Sequence, residues 1–163
     1  MAALRDPSAK VRTWGDARQW RAAQAGRVVF TNGVFDLLHP GHVDVLLGAR
    51  RRGDSLVVAL NSDASVRRLK GSERPVRSEA ERAYVLAAFE MVDCVTVFEQ
   101  DTPLELILAL RPDVLVKGGD YSEATIVGAP EVRGWGGDVC VIPLTAGQST
   151  TNIIQALRGI QAR

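Results

Sequence analysis

Five short apolar segments alternate with helix-length amphipathic segments along this chain of 163 residues. Four of the five are apolar almost throughout, which is typical of parallel strands covered on both faces. The five segments are Arg27–Thr31, Leu56–Leu60, Cys94–Phe98, Asp113–Lys117 and Asp138–Ile142. Strands that alternate with helices are joined by βαβ crossovers. The sequence therefore predicts an α/β fold, a single doubly wound domain with a five-stranded parallel sheet and helices on both faces.

Explicit helix-start signals separate these strands. Ser78 with Glu81 forms a capping box ahead of a helix over Arg82–Glu90. Hydroxyl or amide caps followed by apolar periodicity mark the other helices. These are Asn61 or Ser62 before Ala64–Leu69, Thr102 with Pro103 and Glu105 before Leu104–Leu110, Ser149–Thr151 before Ile153–Ile160, and a further helix over Trp14–Ala25 that precedes the first strand.

Composition excludes several classes of protein. With 46% hydrophobic and 24% charged residues the chain has the balance of a globular domain. Its net charge of +1 offers no electrostatic footprint for nucleic acid. No apolar run is long enough to cross a membrane and no signal peptide is visible, so we expect a cytoplasmic protein. Cys94 and Cys140 lie in strand-like runs and are expected to be small buried side chains. The three tryptophans are expected to be packing residues and not stacking platforms for a ligand; they are Trp14, Trp20 and Trp135.

The two histidines of the chain stand three residues apart, where the first strand passes into the first crossover helix. The segment runs Thr31-Asn32-Gly33-Val34-Phe35-Asp36-Leu37-Leu38-His39-Pro40-Gly41-His42. A helix N-terminus is a ready phosphate site, and Gly41 permits close approach to the backbone. His39 and His42 would then donate hydrogen bonds to phosphate oxygens and stabilise charge developing on phosphorus. Asp36 is expected to be a turn residue that bonds its own backbone. No Cys or carboxylate stands at metal-ligand spacing from them, so we expect no protein metal ligands.

Other candidate residues follow the remaining strands at the same edge of the sheet, where open α/β sheets bind ligands. Lys70, flanked by Gly71, can reach over a triphosphate as a mobile cation, although a solvated lysine has the same pattern. Lys117 leads into Gly118-Gly119-Asp120, where Gly119 permits an unusual turn and Asp120 can accept from a ribose or base. Ser149, Thr150 and Thr151 open the last helix, as caps, phosphate ligands or both.

The segment from Thr31 to His42 resembles the HxGH signature of the nucleotidyltransferase superfamily that includes the cytidylyltransferases. That resemblance implies transfer of a nucleoside monophosphate from a triphosphate, with release of pyrophosphate. It places His39 and His42 on the triphosphate, and Gly33, Val34 and Phe35 along the nucleotide. It also offers Arg82 as a phosphate contact, with a surface ion pair as the alternative. It also implies a Rossmann-like nucleotidyltransferase domain over residues 27–163, behind an N-terminal helical extension over residues 1–26.

Further segments narrow the resemblance to the heptose 1-phosphate adenylyltransferases of ADP-heptose synthesis. They include Leu60-Asn61-Ser62-Asp63, Leu69-Lys70-Gly71, Arg74-Pro75-Val76, Pro112–Tyr121, Ile126–Ala129 and Ser149–Ile154. The resemblance implies AMP transfer from ATP to D-glycero-β-D-manno-heptose 1-phosphate for lipopolysaccharide core or another surface glycan. It implies Mg²⁺ arriving with the phosphates, small-molecule substrates and a homo-oligomer. In many bacteria this unit follows a ribokinase-type sugar kinase. Nothing kinase-like fits in this sequence, so it resembles the stand-alone form.

Two alternatives remain open on the sequence. Glycerol-3-phosphate cytidylyltransferases share the histidine and Ser-Thr-Thr motifs, but carry an arginine at Leu144 and a lysine at Asn152. A different small phosphate, such as a flavin or pantetheine phosphate, would keep the same chemistry. From another class, the domain would be a catalytically silent nucleotide sensor, which the intact His39, His42 and Lys70 argue against.

Overall fold

The computed structural model describes residues 6–143 and 149–161. Within them a single sheet of five parallel strands has the order β3-β2-β1-β4-β5. The strands are β1 (Val28–Gly33), β2 (Ser55–Asn61), β3 (Cys94–Phe98), β4 (Val114–Gly118) and β5 (Asp138–Ile142). The predicted fold class is confirmed, and each predicted strand agrees with the observed one to within two residues at either end.

Seven α-helices connect or flank the strands in the described residues. They are α1 (Trp14–Ala22), α2 (Pro40–Arg50), α3 (Asp63–Lys70), α4 (Glu79–Ala87), α5 (Leu104–Leu110), α6 (Ala129–Gly134) and α7 (Thr150–Gln161). Short 3₁₀ turns occupy Pro7–Lys10 and Glu123–Thr125. The sequence analysis did not predict α6, because its six residues are too few to show a helical period.

Local capping explains where most of these helices begin. The Ser62 hydroxyl accepts from the Ser65 amide at the start of α3, and Ser78 and Glu81 form the expected capping box at α4. Ser149 accepts from the Asn152 amide at α7. The expectation for Thr102 was wrong: α5 has Pro103 at its cap position and no side-chain cap. Proline at this position already presets a helical φ, so the helix begins without a hydroxyl.

Each face of the sheet has its own hydrophobic core, because alternate strand residues point to opposite faces. Phe30 packs with α1, α5 and α6, whereas its neighbour Val29 packs with α2 and α4. Both strand residues are fully buried. The predicted packing role of Trp14, Trp20 and Trp135 is confirmed, since all three lie partly buried against the first of these cores.

The segment before β1 covers the outer edge of β3. Val11 forms a parallel bridge with Val95, and the Trp14 indole N–H donates to the Val97 carbonyl at 2.7 Å. Ala17 of α1 is fully buried in the core. These contacts satisfy backbone groups on β3 that an exposed edge strand would leave open. No helix in the described part of the chain is both long and apolar enough to cross a membrane.

Candidate active site

A cleft of about 560 Å³ opens at the carboxyl ends of the strands. It lies where the strand order reverses between β1 and β4, the position at which doubly wound sheets bind ligands. Twelve of the predicted site residues line it. They are Thr31, Asn32, Gly33, Val34, Phe35, His39, Gly41, His42, Lys70, Lys117, Ser149 and Thr150.

Three predicted residues do not belong to the described lining of this cleft. Gly119 is buried behind it, with φ at 134°, and its amide donates to the Ile142 carbonyl at 3.0 Å. Asp120 and Thr151 are exposed on the surface. Their predicted contacts with nucleotide stay predictions. Leu144, which separates this chain from the cytidylyltransferases, lies outside the described residues.

The two histidines form a stacked pair at the start of α2. Their ring centroids are 3.8 Å apart with an interplanar angle of 27°. His39 is the cap residue of the helix and Pro40 occupies its first turn. The His39 backbone N–H donates to Nδ1 of His42 at 3.4 Å, which places the proton of a neutral His42 ring on Nε2. The pair therefore offers an N–H donor beside the free backbone amides of the helix N-terminus.

Both rings are held neutral at pH 7. Burial lowers the pKa of His42 to about 4, and the adjacent His39 ring adds to this because two positive charges would repel. Burial also lowers the pKa of His39. The Nδ1 atom of His39 is buried and has no hydrogen-bond partner among the described residues. A buried polar atom without a partner is costly, so this ring is set up to gain from a bound ligand.

Asp36 fixes the turn that carries the histidines. Its buried carboxylate accepts from the backbone amides of Val76 and Arg77, both at 2.9 Å, and from Arg74 at 2.7 Å. Burial raises the pKa of Asp36, but these three donors outweigh it and hold the pKa below its ordinary value. The expectation that Asp36 bonds its own backbone was therefore wrong. It fastens the α3–α4 connection to the β1–α2 turn.

The ring of Phe35 leaves no room for a side chain at Gly33, the last residue of β1. Phe35 adopts a left-handed backbone conformation with φ at 46°, and its ring centroid lies 5.2 Å from that of His42. A Cβ on Gly33 would come within 2.9 Å of the same ring. A side chain at Gly33 would therefore displace Phe35 and, through it, the histidine pair.

Arg82 is a buried clamp between strand ends. The sequence analysis expected either a phosphate contact or a surface ion pair, and the second was wrong because the side chain is only 1% exposed. It donates to the carbonyl of Val34 at 2.7 Å, to that of Asn61 at 3.0 Å, and to the carboxylate of Asp63 at 2.7 Å. Arg82 thus joins the carboxyl ends of β1 and β2, and the described geometry commits its guanidinium to protein oxygens.

Lys117 contributes an amino group to the lining of the cleft. Its Nζ donates to Oδ1 of Asn32 at 3.2 Å and lies 5.5 Å from the centre of the Tyr121 ring. Burial lowers the pKa of Lys117, because the charged ammonium is removed from water. An anionic ligand in the cleft would offset that cost.

Two helix N-termini meet on one side of the cleft. The Thr150 hydroxyl, in the first turn of α7, donates to the Leu37 carbonyl in the β1–α2 turn at 3.1 Å. The starts of α2 and α7 therefore adjoin, and each presents free amides and the positive end of a helix dipole. Lys70, the last residue of α3, is exposed and lines the cleft from the β2 side.

Sequence reasoning did not assign a ligand role to the remaining lining residues. They are Val45, Asn61, Leu69, Asp101, Thr102, Pro103, Gly118, Tyr121, Thr125, Ile126 and Val127. The sheet-edge rule did select the stretches that hold Asn61 and Tyr121. Leu69 and Gly118 lie in those same stretches. Asp101 and Thr102 follow β3 in the same way, but the sequence from Thr102 to Glu105 is typical of a helix start and so predicts a cap and not a ligand site. Val45 has no local signal, since it reaches the cleft where α2 packs against Gly118 of β4.

The cytidylyltransferase-like family matches residues 30–156, which includes the whole cleft. The chain belongs to this family. The match extends over more than three quarters of the sequence, from the end of β1 to α7.

Over the aligned stretches, more than half of the positions are identical between this chain and its curated relatives. It is 56% identical to the bifunctional protein HldE of Magnetococcus marinus over 155 residues, which are 93% of this chain and 32% of that protein. It is 62% identical to the bifunctional protein HldE of Syntrophotalea carbinolica over 130 residues, or 80% and 26% of the two chains. The chain thus spans about a third or less of these relatives.

Solved structures support the fold. A lipopolysaccharide core biosynthesis protein from Thermoplasma volcanium has a TM-score of 0.61 and 25% identity, covering 74% of this chain and 98% of that one. A pantothenate synthetase from Thermus thermophilus has a TM-score of 0.62 and covers 88% of this chain and 66% of that one. At 17% identity the second similarity shows the fold alone.

Proposed function

We propose that this domain transfers AMP from ATP to D-glycero-β-D-manno-heptose 1-phosphate, giving ADP-heptose and pyrophosphate. The observation that carries the proposal is the convergence of two helix N-termini with a stacked pair of neutral histidines in one cleft. Backbone amides, helix dipoles and imidazole donors together suit a triphosphate. Family membership supports nucleotidyl transfer as the chemistry.

In the proposed reaction an oxygen of the acceptor phosphate attacks the α-phosphorus of ATP. The new P–O bond forms as the bond between the α-phosphorus and the bridging oxygen breaks, and that oxygen leaves with pyrophosphate. The acceptor is already an anion, so the reaction needs no protein nucleophile and depends on positioning and charge stabilisation. Negative phosphates beside His39 and His42 would raise both imidazole pKa values and strengthen the donated hydrogen bonds.

Several of the predicted residues that line the cleft then have a place in this scheme. The starts of α2 and α7, with His39, His42 and Thr150, hold the triphosphate. Lys117 and Tyr121 adjoin the nucleoside, and Lys70 reaches over the triphosphate from the side on which the acceptor phosphate approaches. Among the described residues, no three His, Cys, Asp or Glu side chains are grouped as metal ligands. We therefore write Mg²⁺ as part of the substrate MgATP.

The heptose acceptor and the role in surface glycan synthesis have two supports. One is the resemblance of the Leu60–Asp63, Leu69–Gly71 and Pro112–Tyr121 segments to heptose 1-phosphate adenylyltransferases. The other is similarity to HldE proteins and to a lipopolysaccharide core biosynthesis protein. The cations that cytidylyltransferases carry at Leu144 and Asn152 are absent from this sequence.

The test is pyrophosphate release with Mg²⁺, with ATP or CTP paired with heptose 1-phosphate or glycerol 3-phosphate. We expect release with ATP and heptose 1-phosphate, and a rate at least tenfold lower with every other pair. Faster release with another pair would keep the histidine chemistry and discard the proposed substrates. Binding of ATP without release on any acceptor would favour the nucleotide sensor.

A further inference from the structure

The cleft extends beyond the residues that the proposed triphosphate and nucleoside sites use. Asp101 and Thr102 line it at the carboxyl end of β3, next to Asn61 at the end of β2. Tyr121 lines it after β4. Since β3 and β4 lie on opposite sides of β1, these residues form two different ends of the cleft. The β3 end has a carboxylate, a hydroxyl and an amide, whereas the β4 end has the aromatic ring and Lys117.

The Asp101 carboxylate is open to a ligand but fixed in position. Its side chain is 70% exposed, and Oδ1 accepts from Nε of Arg68 at 2.8 Å. Arg68 also donates to the backbone carbonyl of Glu99. The Ser65 hydroxyl donates to the Gln100 carbonyl at 3.1 Å. Helix α3 therefore holds the segment that precedes Asp101 at two points, and the ion pair leaves Oδ2 with capacity to accept further hydrogen bonds.

The polar groups at the β3 end of the cleft suit a polyol and not a phosphate. A carboxylate repels an anion but accepts hydrogen bonds from hydroxyl groups, and such bonds to a charged group are about twice as strong as neutral ones. In-line displacement places the attacking oxygen opposite the leaving pyrophosphate. With the triphosphate at the starts of α2 and α7, the acceptor approaches from the β2–β3 side. Lys70, two residues beyond Arg68 on α3, then meets the acceptor phosphate.

We propose that Asp101, together with Thr102, binds ring hydroxyls of the acceptor sugar and determines specificity for a sugar 1-phosphate. Arg68 is a positioning residue that holds the Asp101 carboxylate toward the cleft. This inference rests on the proposed function, because it assigns the acceptor half of the same site.

The test measures pyrophosphate release as heptose 1-phosphate is varied at saturating ATP, and then as ATP is varied at saturating sugar. Asp101→Ala is expected to raise the KM for the sugar phosphate about 10- to 100-fold, the effect of losing a hydrogen bond to a charged group. The KM for ATP should stay within twofold. Arg68→Gln should raise the KM for the sugar phosphate by a smaller factor, again without changing that for ATP.

The matched control is Asp138→Asn. Asp138 is also an exposed aspartate paired with arginines, Arg27 and Arg133, but it begins β5 at the opposite end of the sheet. It should leave both KM values unchanged. Thermal unfolding monitored by circular dichroism checks that Asp101→Ala folds, and Asp101→Asn provides a second variant of the same shape.

The outcomes separate this inference from the proposed function. Wild-type turnover with an unchanged or lower sugar KM in Asp101→Ala and Asp101→Asn would overturn the inference and keep the function. Equal losses for sugar and ATP would also overturn it, since they indicate a general structural defect. Absence of wild-type turnover with heptose 1-phosphate would overturn the proposed function and this inference with it.

Discussion

His42 is expected to make the folded domain sensitive to acid, and His42→Gln is expected to remove that sensitivity. Burial and the adjacent His39 ring lower the pKa of His42 to about 4 from an ordinary value of 6.5. In the unfolded chain the ring regains its ordinary pKa. Below pH 6.5 the His42 ring therefore becomes protonated in the unfolded state but stays neutral in the folded state. The contribution of this ring to the free energy of unfolding is fully present above pH 6.5 and is lost as the pH falls toward 4.

The size of the effect follows from those two pKa values. Between pH 7.5 and pH 5 the linkage relation gives a loss of about 2 kcal/mol in the free energy of unfolding. The ring is partly exposed, and allowing for solvent screening reduces the expected difference to about 1 kcal/mol. Glutamine retains a polar side chain of similar reach and does not titrate, so this part of the loss should disappear in the variant.

Urea unfolding at pH 7.5 and pH 5 measures the effect on wild type and His42→Gln. Contributions from carboxylates are common to both proteins and cancel in the comparison. His39→Gln is the matched comparison, because burial lowers the pKa of that ring in the same direction. If wild type and His42→Gln lose the same free energy of unfolding between the two pH values, the buried neutral histidine is not a property of this fold.

Three further predictions test other parts of the structure. His39→Ala should lower turnover by about 10²- to 10³-fold with little change in thermal unfolding, as expected for loss of a preorganised donor; near wild-type rates would contradict the proposed chemistry. Arg82→Ala should lower the free energy of unfolding by about 3–5 kcal/mol, because it leaves Asp63 and three carbonyls without their buried partner. Urea denaturation measures this, and a loss below about 1 kcal/mol would argue against a buried clamp. Gly118→Ala should cost about 1–3 kcal/mol, since its Cβ would lie 2.5 Å from Cγ2 of Val45. A thermal shift assay would detect that loss, and an unchanged melting temperature would show that α2 can move.

Sequence patterns were sufficient for features that depend on neighbouring residues. Strand segments such as Leu56–Leu60 show their burial as continuous apolar runs, and Ser78 with Glu81 shows a helix start through groups three residues apart. The histidine turn at the start of α2 could be predicted for the same reason, because His39, Gly41 and His42 lie within one helical turn. The sheet-edge rule then indicated which other segments would approach them.

The predictions for Asp36, Arg82 and Thr102 were wrong because their environment is set by segments that are distant in the sequence. Asp36 was expected to bond its own backbone, but it binds backbone amides 40 and 41 residues away. Arg82 resembled a surface arginine, yet it is buried because the ends of β1 and β2 supply carbonyl acceptors. Threonine is a common helix cap, but Thr102 lines the cleft and Pro103 occupies the cap position of α5.

The sequence by itself determined the order of strands and helices, the histidine turn and the segments that surround the cleft, since these depend on local periodicity and capping. Only the tertiary structure decided the charge state of the histidines and the two ends of the cleft. A pKa depends on burial and on neighbouring charges, and both are fixed when separate elements pack together. Likewise, Asp101 lines the end of the cleft opposite Tyr121 because β3 lies on the other side of β1 from β4, an arrangement that no local pattern in the chain contains.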